Sequence, residues 1–292
     1  MKLYAHWARD TRLLRTAGGW EGSVSFAAGS NVSAADAQDR LERMFAATEA
    51  LFRLPHAQES DVAEYRARLR EILDPFEAGG EYARPICEEV LAHLDAHNVV
   101  TRNRVGAEVL NSENLCFIDI DRVRPTFREL LGGLFGGARG AEGLLRSRME
   151  KLLAETRGAR HGFRVYRTAA GFRAVAFGFA DDPSGEDFAR LCDRLDADGL
   201  YRQLCVTQRC FRARLTPKPH RVGMASFKKL GRFPYAGGDA PARVADWVRD
   251  YQYKCERRAV CSFLFDLGQV GTSAALAEHD RRTRCYSGLP LA

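Results

Sequence analysis

Residues 115–121 read Leu-Cys-Phe-Ile-Asp-Ile-Asp, an apolar run that ends in two carboxylates one residue apart. The isoleucines and the phenylalanine around the first acid predict a buried strand. Side chains alternate across a strand, so Asp119 and Asp121 are expected on one face, about 7 Å apart along the chain. Two carboxylates at the end of a buried strand are costly unless cations lie between them. Mg²⁺ or Mn²⁺ held by paired aspartates is the usual arrangement for phosphoryl and nucleotidyl transfer, which makes both acids candidate metal ligands. The plainer reading ends the strand at Asp119 and leaves the acids solvated, or paired with Arg122 and Arg124. On the metal reading, changing both acids to Asn should leave thermal stability equal or higher, because their repulsion is relieved.

A second chemical signal is charge. The chain has 292 residues and a net charge of +6. Residues 1–100 carry 11 Lys/Arg against 16 Asp/Glu, so the remainder holds the positive excess. Tyr201–Tyr235 contains nine basic residues (Arg202, Arg209, Arg212, Arg214, Lys218, Arg221, Lys228, Lys229 and Arg232) and no acid. A one-sign stretch suits polyphosphate or a nucleic-acid backbone. Of the 44 basic residues 38 are Arg, so part of the bias reflects general arginine richness, but the missing acids do not. Phe211, Phe227, Phe233 and Tyr235 interleave with the run as base-stacking candidates.

The elements that must position these groups follow from periodicity. Short strands are expected at Lys2–Trp7 and Ser23–Ala27. A helix starts at Ser33 with a Ser33/Asp36 capping box and an apolar face of Leu41, Met44, Phe45, Thr48, Leu51 and Phe52. A second helix at Ser60–Leu73 and a linker around Gly79-Gly80 complete a small N-terminal α/β appendage, residues 1–80. The core, residues 81–292, opens with a helix after Pro85, on which His93 and His97 would share a face. A hairpin around Gly106 and the Asp119 strand come next. Six glycines between residues 132 and 143 form a connection without Walker or dinucleotide spacing. Helices at 141–156, 184–196 and 244–253 and strands at 162–168, 172–179, 210–215 and 260–266 complete the α+β pattern, a mixed or antiparallel sheet with flanking helices. Glu278-His279-Asp280 falls in a charged, solvated tail.

Three features recur in one order: Phe-Ile-Asp119-Ile-Asp121, then Thr168-Ala-Ala-Gly171-Phe-Arg173 at a hairpin, then Asp196-Ala-Asp198 leading to Cys210-Phe-Arg-Ala-Arg-Leu-Thr-Pro-Lys-Pro219. That order, over roughly residues 98–220, resembles the catalytic core of the archaeo-eukaryotic primase (primase-polymerase) superfamily. The resemblance implies a primase-polymerase-like core with two divalent metals on Asp119 and Asp121. Asp198 would complete the catalytic acids, with Asp196 and Asp266 as alternatives. The hairpin motif, matched by Thr168 and Gly171, would contact the incoming nucleotide; its His is replaced here by Arg173, a residue able to hold a phosphate. Arg173, Arg212, Arg214 and Lys218 would neutralise a triphosphate and a template backbone. His161 and His220 flank the basic hairpins without a spacing that demands a role.

The expected function is metal-dependent nucleotidyl transfer on nucleic acid or nucleoside triphosphates with Mg²⁺ or Mn²⁺. A helicase or another replication or defence protein is the candidate partner. The alternatives are a catalytically inactive nucleic-acid-binding protein that retains the fold, and a metal-dependent nuclease. No apolar run reaches membrane-spanning length and no secretory signal opens the chain, so a cytoplasmic protein without a membrane partner is expected. The eight cysteines do not show the paired spacing of a zinc site, and nothing supports a disulfide framework.

Overall fold

The structure is a computed structural model that describes residues 1–16, 19, 21–53, 84–125, 140–156, 160–235 and 237–292. The expected helix at Ser60–Leu73, the linker after it and most of the glycine-rich connection lie outside the described residues. The chain divides into two units, Lys2–Cys87 and Glu88–Ala292 with Met1.

In the N-terminal unit, β1 (His6–Arg15) and β2 (Glu21–Ser30) form an antiparallel hairpin in which Asp10 faces Phe26. The first strand runs well beyond the expected Lys2–Trp7. Its alternation is masked in sequence by the Arg9-Asp10-Thr11-Arg12 string, whose charges lie at the surface of a two-stranded ribbon. α1 (Ala34–Phe52) packs Leu41, Phe45 and Phe52 onto Val24 and Phe26. Its start is the expected one: Ser33 Oγ accepts from the Asp36 amide at 3.0 Å, and Ser30 donates to the Asp36 carboxylate.

Among the described residues the larger unit has two four-stranded antiparallel sheets. One has the order β3-β4-β5-β9, built from Glu89–His93, Asn98–Arg102, Glu108–Ser112 and Phe211–Arg214. The other has the order β10-β7-β8-β6, built from Cys261–Gly268, Gly162–Thr168, Phe172–Phe177 and Cys116–Ile120. The edge strands β6 and β9 approach each other. Five helices accompany the sheets among the described residues: α2 (Ala141–Glu155), α3 (Glu186–Leu195), α4 (Gly199–Gln208), α5 (Ala240–Cys255) and α6 (Ala274–Thr283). A core of Phe117, Ile118, Leu145, Phe163, Val165, Phe188 and Phe211 joins the strands to α2 and α3. This is an α+β fold with antiparallel sheets.

Two expectations are corrected, and one helix lies where none was expected. The helix after Pro85 is instead strand β3, paired with β4 as Glu89↔Arg102 and Val90↔Thr101, so His93 and His97 do not share a helix face. Pairing with a neighbour strand overrides the weak helical stripe. The basic stretch begins inside helix α4, which is capped by Asp198. The Glu278-His279-Asp280 segment is not a solvated tail: α6 buries His279 completely and Asp280 almost so. No helix among the described residues is long and apolar enough to cross a membrane.

Candidate phosphate-binding site

The site forms where β6 meets β8 and β9. Asp119 on β6 stands opposite Arg173 on β8 in the antiparallel register. Gly171 makes the approach possible: a Cβ there would lie 2.1 Å from the Ile120 carbonyl oxygen and 2.6 Å from that of Asp121. Thr168 closes the same hairpin, its Oγ1 accepting from the Gly171 amide at 3.1 Å. The Thr-x-x-Gly pattern therefore shapes the turn that is pressed against the end of the acidic strand. Asp119 lies on an edge strand of its sheet, with β9 beyond it.

Arg173 is fully buried, with 1% of its side chain exposed, while Asp119 keeps 25%. Its Nε donates to Asp119 Oδ1 at 2.8 Å and its Nη2 to Oδ2 at 3.4 Å. Nη1 donates to the Arg214 carbonyl at 2.8 Å, tying β8 to β9. Burial alone would raise the Asp119 pKa; the Arg173 charge and hydrogen bond outweigh it and hold the carboxyl below the ordinary range. Burial likewise disfavours the Arg173 charge, and Asp119 more than offsets it. So Arg173 is the counter-ion of Asp119, its guanidinium committed to that carboxylate and to the Arg214 carbonyl.

Arg214, Lys218 and Arg221 differ from it. Among the described residues none of these three has a side-chain hydrogen bond or ion pair within the protein. The Arg214 pKa is depressed by burial and by the Arg173 and Arg221 charges, against the pull of Asp119. That of Lys218 is depressed by burial and by Arg214 and Arg221, against Asp121 and Asp119. β6 ends at Ile120, so Asp121 follows it in a bend, and both acids act electrostatically on the same lysine. Asp121 itself is exposed. Lys218 is held between the buried Pro217 and Pro219, and Tyr251 Oη bonds both the Pro217 carbonyl and Thr216 Oγ1 (2.9 Å to the latter). Pro219 opens a short 3-10 turn (Pro219–Val222) that brings Arg221 round toward Lys218.

The other expected residues have structural partners. Arg212 lies bidentate on Glu88 at 2.9 and 2.7 Å. Asp198 caps α4 by accepting from the Tyr201 amide at 2.6 Å, while its own amide donates to the Asp119 carbonyl. Asp196 accepts from the Arg124 amide. Asp266 is paired with Arg164 at 2.9 Å. Phe211 and Phe227 are core residues rather than stacking platforms, the latter against Trp247. His161 packs on Phe179 and His220 is exposed. All eight cysteines are free thiols, seven of them buried.

These placements bear on the metal. Both oxygens of Asp119 are occupied by Arg173, the surrounding charge is cationic, and no group of three His, Cys, Asp or Glu converges among the described residues. As arranged, the carboxylates do not fit a two-metal centre. With Asp119 the acidic counter-ion of a buried arginine, the expectation that its removal would cost nothing is also revised.

Sequence reasoning missed the inner layer. His279 Nε2 lies 3.4 Å from Arg173 Nη1, and its Nδ1 lies 2.9 Å from Asp280 Oδ1. Tyr166 Oη and Arg164 also bond Asp280. The signal was present: Ala275, Leu276, His279, Asp280 and Thr283 recur at helical spacing, as a buried face does. A cavity of about 700 Å³, lined by Arg164, Leu276, Asp280, Arg281, Arg284 and Tyr286, opens on the far side of Asp280. Comparison of the chain with family models, with curated proteins and with solved structures found no match.

Proposed function

We propose that this chain binds a phosphate-bearing ligand, foremost a nucleic-acid strand, through Arg214, Lys218 and Arg221. The carrying observation is that these cations share a half-buried place that depresses the pKa values of Arg214 and Lys218, with no counter-ion bound to any of the three among the described residues. Packing like charges together opposes folding and is relieved when an anion binds between them. Exposed His220, Lys228, Lys229 and Arg232 extend the basic run, which suits a polymer backbone more than an isolated phosphate.

Fluorescence anisotropy with a single-stranded oligonucleotide at stepped salt concentrations tests this. Affinity should fall steeply with salt, and Arg214→Ala with Lys218→Ala and Arg221→Ala should flatten the slope and weaken binding to all sequences alike. Salt-independent binding, or none, removes the reading.

A second reading is favoured by one observation: Asp119 keeps partial exposure and Asp121 is open beside the same lysine. On it, the chain is a nucleotidyltransferase or nuclease that recruits Mg²⁺ or Mn²⁺ together with its phosphate ligand. Incorporation or cleavage with either metal, lost in Asp121→Asn while binding persists, would establish it. Binding with neither activity leaves the first reading alone.

A further inference from the structure

We infer that His279 and Asp280 are positioning residues that set the Arg173–Asp119 pair and thereby keep Arg214 and Lys218 available to a ligand; the inference rests on the phosphate-binding reading above. His279 is completely buried. Its ring stands between Phe117 and Tyr166, at centroid distances of 5.0 and 5.1 Å. Arg173 Nη1 has only hydrogens to offer, so the facing Nε2 must present its lone pair. The proton then resides on Nδ1, where Asp280 Oδ1 accepts it at 2.9 Å.

Asp280 is held in turn by Tyr166 Oη at 2.6 Å and Arg164 Nη1 at 3.1 Å, and Arg164 is anchored bidentate on Asp266. One face of α6 thus selects a tautomer and aims an acceptor at Arg173. That matters because Arg173 does two things at once: it takes both oxygens of Asp119, and it binds the backbone carbonyl of Arg214. Without the His279 contact the guanidinium loses one of its anchors. Asp119, the acid that acts on both Arg214 and Lys218, is then free to turn onto them and neutralise the site.

The test compares His279→Gln with His279→Asn in the full chain. Gln is long enough to present an amide oxygen to Arg173 while donating to Asp280; Asn reaches only Asp280. The first readout needs no ligand: the Nε–H resonance of Arg173 in nitrogen-15 spectra, assigned by its loss in Arg173→Lys. It should stay sharp and slowly exchanging in the Gln variant and broaden in the Asn variant. The second readout is affinity for inorganic tripolyphosphate and for a single-stranded oligodeoxythymidylate. Gln should keep it, and Asn should lose about tenfold, the lower end of what supporting-layer changes cause, even where the two melting temperatures agree. Equal resonances and affinities in the two variants, or affinity that merely follows melting temperature, overturn the inference. If the wild type binds neither probe, the phosphate-binding reading fails instead. The resonance then decides the positioning alone: a Gln/Asn difference upholds it and no difference overturns it.

Discussion

Arg212 and Arg214 are the same residue type, two positions apart on one strand and on one side of it, and the structure treats them oppositely. Arg212 lies on Glu88 with two short hydrogen bonds, and although burial opposes its charge, Glu88 raises its pKa. Arg214 has burial and neighbouring cations against it, and its pKa is depressed. The first is architecture, joining β9 to the start of β3; the second is a charge waiting for a partner. A basic run in sequence therefore mixes two populations, and only the unpaired one reports a ligand. The same contrast separates Arg173, buried and fully committed, from Lys218, half-buried and without an ion-pair partner among the described residues.

The largest effect should come from breaking the committed pairs. Asp119→Asn leaves Arg173 buried without its counter-ion, and Arg212→Ala leaves Glu88 in the same state. Each should cost about 3 kcal/mol or more in urea denaturation, as expected when one partner of a buried ion pair is removed. If either variant is as stable as the wild type, the distinction between architectural and ligand-binding arginines collapses.

A smaller and opposite effect is expected at the free cations. Arg214→Ala should leave stability within about 0.5 kcal/mol of the wild type or raise it, because repulsion with Arg173 and Arg221 is relieved. The same change should weaken phosphate binding about tenfold, one charge-assisted hydrogen bond's worth. Destabilisation comparable to that of Arg212→Ala would show that Arg214 has a structural partner after all.

The smallest effect is a contrast in pH dependence. Glu278, accepting from Arg281 and Arg282, has its pKa lowered from 4.5 to about 2. Its contribution to stability is therefore complete above 4.5 and is lost as pH falls through about 2. Lys218 titrates below its usual 10.5, so on approaching that value from lower pH the folded chain gives up the proton first, and stability rises with pH. A bound phosphate favours the protonated lysine. Binding should thus take up a proton at alkaline pH and weaken as pH climbs toward 10.5. Calorimetry in two buffers of different ionisation heat measures that proton, and Lys218→Met should abolish the uptake.

Much of the fold was readable because it rests on local pattern. The runs of aromatic and β-branched residues in Gly162–Thr168 and Phe172–Phe177, the Ser33 cap of α1 and the stripe of Phe188, Leu191, Cys192 and Leu195 are properties of short windows. The acidic strand and the Thr168/Gly171 turn were legible for the same reason. β3 was misread because five residues with a helical stripe become a strand only when β4 lies beside them. The charged α6 was misread because its polar residues mask a buried face.

Sequence by itself determined which chemistry was available: two acids at a strand end, a hairpin glycine, and a run of nine basic residues with no acid among them. Tertiary structure decided how that chemistry is assigned. Whether a charge is a counter-ion or a ligand contact depends on what lies within about 3 Å of it. For Arg173 that is Asp119, 54 residues away, and for Arg212 it is Glu88, 124 residues away. No local window contains both partners, so composition could supply the cations but only the meeting of β6, β8 and β9 could hold Arg214 and Lys218 half-buried without an ion-pair partner among the described residues.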